Sequence, residues 1–135
     1  MPELIEHIDA IARRKQRDVL SIRFHTHETA RAYDYMRDPE RERVIQWLDH
    51  KGIAWQPCGQ VASEYVMQPY RGDIYVDVPF DVSNLQFKKL QEYLENPDGT
   101  MRHASIIFEC CPLALAMTNV HHDEPGFWDR WADTL

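Results

Sequence analysis

The most chemically suggestive spacing in the chain is His25-Thr26-His27-Glu28, inside the stretch SIRFHTHETARAYDYM at residues 21–36. On a strand, residues i and i+2 project from one face with Cα atoms roughly 6.6 Å apart, so two imidazoles so placed can converge on one ion. With Glu109 as a carboxylate ligand, His25 and His27 would form a two-histidine, one-carboxylate set with open positions, which suits zinc or iron(II). Asp77 and His103 are the acid/base candidates beside it, and Arg23 and Tyr75 are candidates for holding a small anionic ligand. The opposing reading is a polar sheet rim. Seven histidines make one H-x-H pair unsurprising, and Arg23 on the same face repels a cation unless Asp77 or Glu109 neutralises it.

Other reactive types are less promising. His121-His122-Asp123-Glu124 gathers ligand chemistry, but consecutive histidines diverge on a strand, so the stretch reads as a polar loop before a last helix unless the tail folds back across the sheet. Cys110 and Cys111 are poor nucleophiles: Glu109 beside them raises the thiol pKa, and alternation sends Cys110 inward. Three cysteines, the last two adjacent, are no disulfide framework and point to a reducing, cytoplasmic setting. None of the five glycines is spaced as a phosphate-binding loop.

The elements that must position these residues are readable from periodicity. Leu4, Ile5, Ile8, Ile11 and Ala12 have helical spacing over about residues 2–16. VLSIRFH alternates, with Leu20, Ile22 and Phe24 inward and Ser21, Arg23 and His25 outward. A helix capped by Thr26 or Thr29 runs to about Arg37, and Asp38-Pro39-Glu40 starts another that stops at Gly52. IAWQPCGQVASEYVMQ is extended, with Pro57 and Gly59 marking an edge or bulge. Arg71-Gly72-Asp73 is a turn. IYVDVPF puts Ile74, Val76, Val78 and Phe80 inward and Tyr75 and Asp77 outward. A helix starting at Asp81 or Ser83 carries Phe87, Leu90, Tyr93 and Leu94, and Asn96-Pro97-Asp98-Gly99 ends it. HASIIFEC is a strand with His103, Ser105, Ile107 and Glu109 outward; LALAMTNV extends the sheet past Pro112. The tail closes as a short helix laying Phe127, Trp128 and Trp131 on the body.

This order predicts a single domain over residues 1–135: an α+β, ferredoxin-like βαββαβ sandwich, an antiparallel sheet with helices on one face. An extra N-terminal helix and a C-terminal strand and helix are appended. The first and third strands are central, the fourth lies beside the first, and the outward residues share the bare face. Of 22 acids and 15 bases, residues 1–60 hold ten of each, so the whole net charge of −7 lies in the second half. That disfavours nucleic acid as a partner. No stretch reads as a membrane span or a secretory signal. The function these features favour is binding without strong catalytic machinery, by a homodimer meeting a protein partner or small ligand, with no cofactor required. The alternative is a zinc or iron(II) hydrolase or oxygenase.

Overall fold

The computed structural model describes residues 5–25, 33–65 and 69–134. Among these residues the chain is a mixed α+β protein with a four-stranded antiparallel sheet and five α-helices. The helices are α1 (Ile8–Lys15), α2 (Pro39–His50), α3 (Leu85–Leu94), α4 (Leu113–Met117) and α5 (Phe127–Ala132). The strands are β1 (Val19–Arg23), β2 (Trp55–Pro57), β3 (Ile74–Val76) and β4 (Ile107–Cys111), in the order β2-β3-β1-β4. Register places Ser21 between Tyr75 and Glu109, with Gln56 beyond Tyr75. No helix among the described residues is long and apolar enough to cross a membrane.

The main core forms where α2 and α3 lie on the sheet. Leu20, Ile22 and Phe24 of the β1 segment meet Ile74, Val76 and Val78 and the helix residues Val44, Leu48, Phe87 and Leu90. The alternation read from the sequence explains this face, since period-two residues share one side of a strand. Both helices begin on side-chain caps. Asp38 accepts from Glu40 N at 2.9 Å with Pro39 in the first turn, and Asn84 rather than Asp81 or Ser83 accepts from Phe87 N at 3.0 Å.

Helices on one face only is the expectation the structure corrects. Ile8, Ile11 and Ala12 of α1 and Ala116 of α4 cover Val19, Tyr75, Cys111 and Cys58 on the other side of the sheet. The cause is visible in the burial: that side of the sheet carries apolar groups, and the amphipathic α1 supplies a matching stripe. LALAMTNV does not extend the sheet. Pro112 sits at the cap of α4, and Leu, Ala and Met favour a helix from there.

The remaining differences lie at strand ends. β2 is only three residues long and is an edge strand, as Pro57 suggested. Beyond Val76 the backbone turns, with Val78 N bonding Val76 O, so alternation lapses and Phe80 is 52% exposed instead of inward. His103–Ser105 forms a turn before β4, with Ser105 Oγ 2.8 Å from His103 Nδ1. The helix expected to start near Thr26 falls largely outside the described residues; only a 3-10 turn at Tyr35–Arg37 is seen.

One buried network locks the second layer. Arg13 Nη1 donates to Asp9 Oδ2 (3.0 Å) and to Ala116 O (2.9 Å), and its other nitrogens reach Asp123 at 2.8 and 2.9 Å. Asp9, fully buried, also accepts from Ala62 N and Asn119 Nδ2. Desolvation opposes its charge, but these bonds outweigh it and hold the carboxyl below its ordinary pKa. Asp9 stays an anion.

Candidate functional site

β1 and β4 bring together two residues singled out above. Arg23 and Glu109 project from the α1 side of the sheet, and Arg23 Nη2 donates to Glu109 Oε1 at 2.8 Å. The third member is Asp73, which the sequence offered only as the end of a turn. Its position is set by the backbone. Gly72 has φ +90°, and a Cβ there would collide with Tyr35 Cβ, so only glycine lets the chain pass this close. Arg41 Nε donates to Gly72 O at 2.9 Å, while Tyr70 Oη and Cys58 N donate to Asp73 O at 2.9 and 3.0 Å.

So held, Asp73 is only 6% exposed. Its Oδ2 stands 4.0 Å from Arg23 Nε, too long for a direct hydrogen bond, and its Oδ1 is buried with no hydrogen-bond partner among the described residues. Burial pushes the Asp73 carboxyl up to about 6. Arg23 and Arg41 pull it back and Glu109 pushes it further. A buried carboxyl titrating near neutrality is unusual for a structural residue and common at binding or catalytic sites.

Two cavities meet at this carboxyl. One, of about 270 Å³, is lined by Tyr70, Arg71, Asp73, Trp128 and Trp131, with His7 and Gly59 at its wall. The other, of about 260 Å³, is lined by Ser21, Arg23, Asp73, Glu109 and Cys111. Gly59, Gln60, Val61 and Asp73 border both. Gly59 joins α1's entry by backbone bonds, Ile8 N to Gly59 O at 2.9 Å and Gly59 N to Glu6 O at 2.8 Å. A Cβ on Gly59 would lie 2.9 Å from His7 Nδ1. The tryptophans stand edge to face, 5.4 Å between centroids, an arrangement aromatic pairs prefer.

The other candidates are dispersed. Tyr75 Oη donates to Asp77 Oδ1 at 2.7 Å, and Arg17 and Lys15 approach the same oxygen at 2.7 and 3.4 Å. The Tyr75 bond, with Lys15 and Arg17 behind it, holds the Asp77 carboxyl below its usual pKa, while burial raises Tyr75 to about 12. Asp77 is therefore a paired anion, at the opposite end of β3 from Asp73. His25 is 5% exposed and stacks on Tyr33 with centroids 5.1 Å apart. His27 lies outside the described residues. His103 sits 3.6 Å from Glu40 of α2, away from Glu109, because the turn before β4 removes it from the sheet. Burial raises all three thiols, Cys111 to about 11, so none is an activated nucleophile.

Among the described residues one group of three ligand side chains converges, and it is not the expected one. Glu64 Oε1 lies 2.6 Å from His121 Nε2 and 3.0 Å from His122 Nε2. A 3-10 turn at Val120–Asp123, instead of a strand, lets the two adjacent imidazoles point the same way. Their hydrogen bonds hold the Glu64 carboxyl below its ordinary range. Trp131 Nε1 donates to Glu64 O at 2.8 Å, which anchors the loop to α5.

Comparison with protein-family models, with curated proteins and with solved structures finds no match in any of the three.

Proposed function

We propose that the chain binds a small uncharged molecule in the cavity between Asp73 and the Trp128–Trp131 pair. The observation that carries this reading is Asp73, which borders both cavities and whose buried Oδ1 has no hydrogen-bond partner among the described residues. A buried unsatisfied acceptor costs roughly 1–3 kcal/mol, and a ligand N–H or O–H would recover it. Tyr70, Trp128 and Trp131 offer aromatic surface for an apolar body. Arg41, whose charge acts on Asp73, disfavours a cation. At about 270 Å³ the space is smaller than the roughly 300 Å³ at which ordinary ligand sites begin, so the ligand is small.

The same reading takes the sheet, with β1 and β3 central and β4 beside β1, as a ferredoxin-like βαββαβ core wearing a second helical layer. It is a cytoplasmic binding domain in this view. A second reading, general acid/base chemistry at Asp73, is supported by a carboxyl titrating near neutral pH beside Arg23 and Glu109. Conversion of a bound compound, lost in Asp73→Asn, would favour it over binding alone.

The test is a fragment screen by ligand-observed NMR, using neutral heteroaromatics that carry one N–H or O–H donor. Hits should perturb the indole N–H signals of Trp128 and Trp131 and weaken about tenfold in Asp73→Ala, the loss of one hydrogen bond of roughly 1.4 kcal/mol. Hits that bind Asp73→Ala unchanged, or leave both indoles unmoved, would defeat the reading.

A further inference from the structure

We infer that Glu64, His121 and His122 form a binding site for a zinc-class divalent cation that ties the Glu64 loop to the C-terminal segment. None of the three side chains borders the Asp73 cavities, although Trp128 and Trp131, which line one of them, pack on this site.

The donor set is chemically apt: two imidazole nitrogens and a carboxylate oxygen are sufficient protein ligands for zinc, with a fourth position left to solvent. The geometry is close to what an ion needs. Ligand atoms bonded to zinc at 2.0–2.1 Å in a tetrahedron stand about 3.3 Å from one another. Here the Glu64 oxygen is 2.6 and 3.0 Å from the two nitrogens, and all three atoms lie within 4.8 Å of one another. The two oxygen–nitrogen distances need to open by about 0.7 and 0.3 Å to reach that spacing.

The supports are built in. His122 has a side chain 2% exposed and packs against Phe127 and Trp128 at centroid distances of 4.8 and 4.7 Å, which fixes one ligand from the inside. His121, with its side chain 49% exposed, leaves the solvent side open. The Trp131 bond to Glu64 O fixes the carboxylate's backbone, and the Arg13–Asp123 pair fixes the residue after His122. A cation takes the Nε2 lone pair of each ring, so each histidine coordinates as the neutral Nδ1–H tautomer, with its one ring proton on Nδ1. His122 Nδ1 is buried without a hydrogen-bond partner among the described residues. A proton moved there finds no acceptor, which makes this a weaker site than a closed four-ligand structural one.

The experiment is a calorimetric titration of zinc chloride into the untagged, chelator-stripped full chain, with metal content read by elemental mass spectrometry after dialysis. One equivalent should bind, and affinity should fall about a hundredfold in Glu64→Gln and in His121→Ala, both of which remain folded by circular dichroism. X-ray absorption of the zinc-loaded chain should show two imidazole nitrogens in the coordination sphere. His25→Ala should bind zinc as the parent does. Absence of zinc binding, affinity unchanged from the parent in Glu64→Gln and His121→Ala, or loss confined to His25→Ala would each overturn the assignment.

Discussion

Replacing Asp73 by asparagine should make the protein more stable, and the gain should depend on pH in a way that only a buried, under-compensated carboxyl produces. The folded-state pKa of Asp73 is raised from 3.8 to about 6. A carboxyl whose pKa is raised on folding is penalised when ionised. Its cost is absent below the unfolded pKa, grows as pH climbs from about 4 to 6, and is constant above the folded pKa. At 1.36 kcal/mol per pKa unit the full cost is about 3 kcal/mol at pH 7.5, against about 0.5 kcal/mol at pH 4. Asp73 is nearly buried, so solvent does not dilute this much. Asparagine keeps the shape and carries no charge, but leaves its own amide to be satisfied and frees Arg23 from a partial partner. A net gain of about 1–2 kcal/mol at pH 7.5 is therefore expected, shrinking to nothing or reversing at pH 4. Urea denaturation of both proteins at pH 4.5, 6 and 7.5, followed by far-ultraviolet circular dichroism, measures it. A difference that does not vary with pH, or an asparagine variant that weakens further as pH rises, would show that Asp73 is a well-compensated anion. The argument for an unmet acceptor in the cavity would then fail with it.

Two further substitutions probe the scaffold. Arg13→Met should cost about 3–5 kcal/mol in denaturant, because it strands the fully buried Asp9 without its cation. Adding Asp9→Asn should recover part of that loss, and a single-variant cost below about 1 kcal/mol would count against the network. Asp38→Ala should cost about 1–2 kcal/mol, since Asp38 both caps α2 and accepts from Tyr33 Oη at 2.8 Å. Asp38→Asn should restore most of it, and equal losses in the two variants would argue that the cap contributes nothing.

The legible parts of the sequence were those where period and position coincide. Leu20, Ile22 and Phe24 alternate with polar neighbours, and Asp38-Pro39-Glu40 announces a helix start by itself; both behave as read. What alternation could not convey is which surface covers the outward residues. Val19, Tyr75 and Cys111 look like members of a solvated face until α1, distant in sequence from Cys111, is laid over them. The site was half visible for the same reason. Arg23 and Glu109 meet because β1 and β4 pair, whereas Asp73 enters through Gly72, whose tolerance of Tyr35 is a three-dimensional fact. Glu64 joins His121 and His122 across 57 and 58 residues, and no local pattern announces such a meeting. His103 misled because a turn of three residues is enough to take a side chain off a strand face.

The Arg13 network has a consequence for how the chain is made. A ribosome delivers α1 first, yet the groups that satisfy Arg13 and Asp9 arrive far later: Ala62 after 53 residues, Ala116 after 103, Asn119 and Asp123 after 110. Until then two charged side chains cannot enter an apolar layer without stranding their charge, so α1 stays undocked while the sheet and α2 and α3 assemble. Without α1 in place, Val19, Tyr75 and, once made, Cys111 lack their cover. The nascent protein thus keeps this surface open until Ala116, Asn119 and Asp123 have emerged to close it.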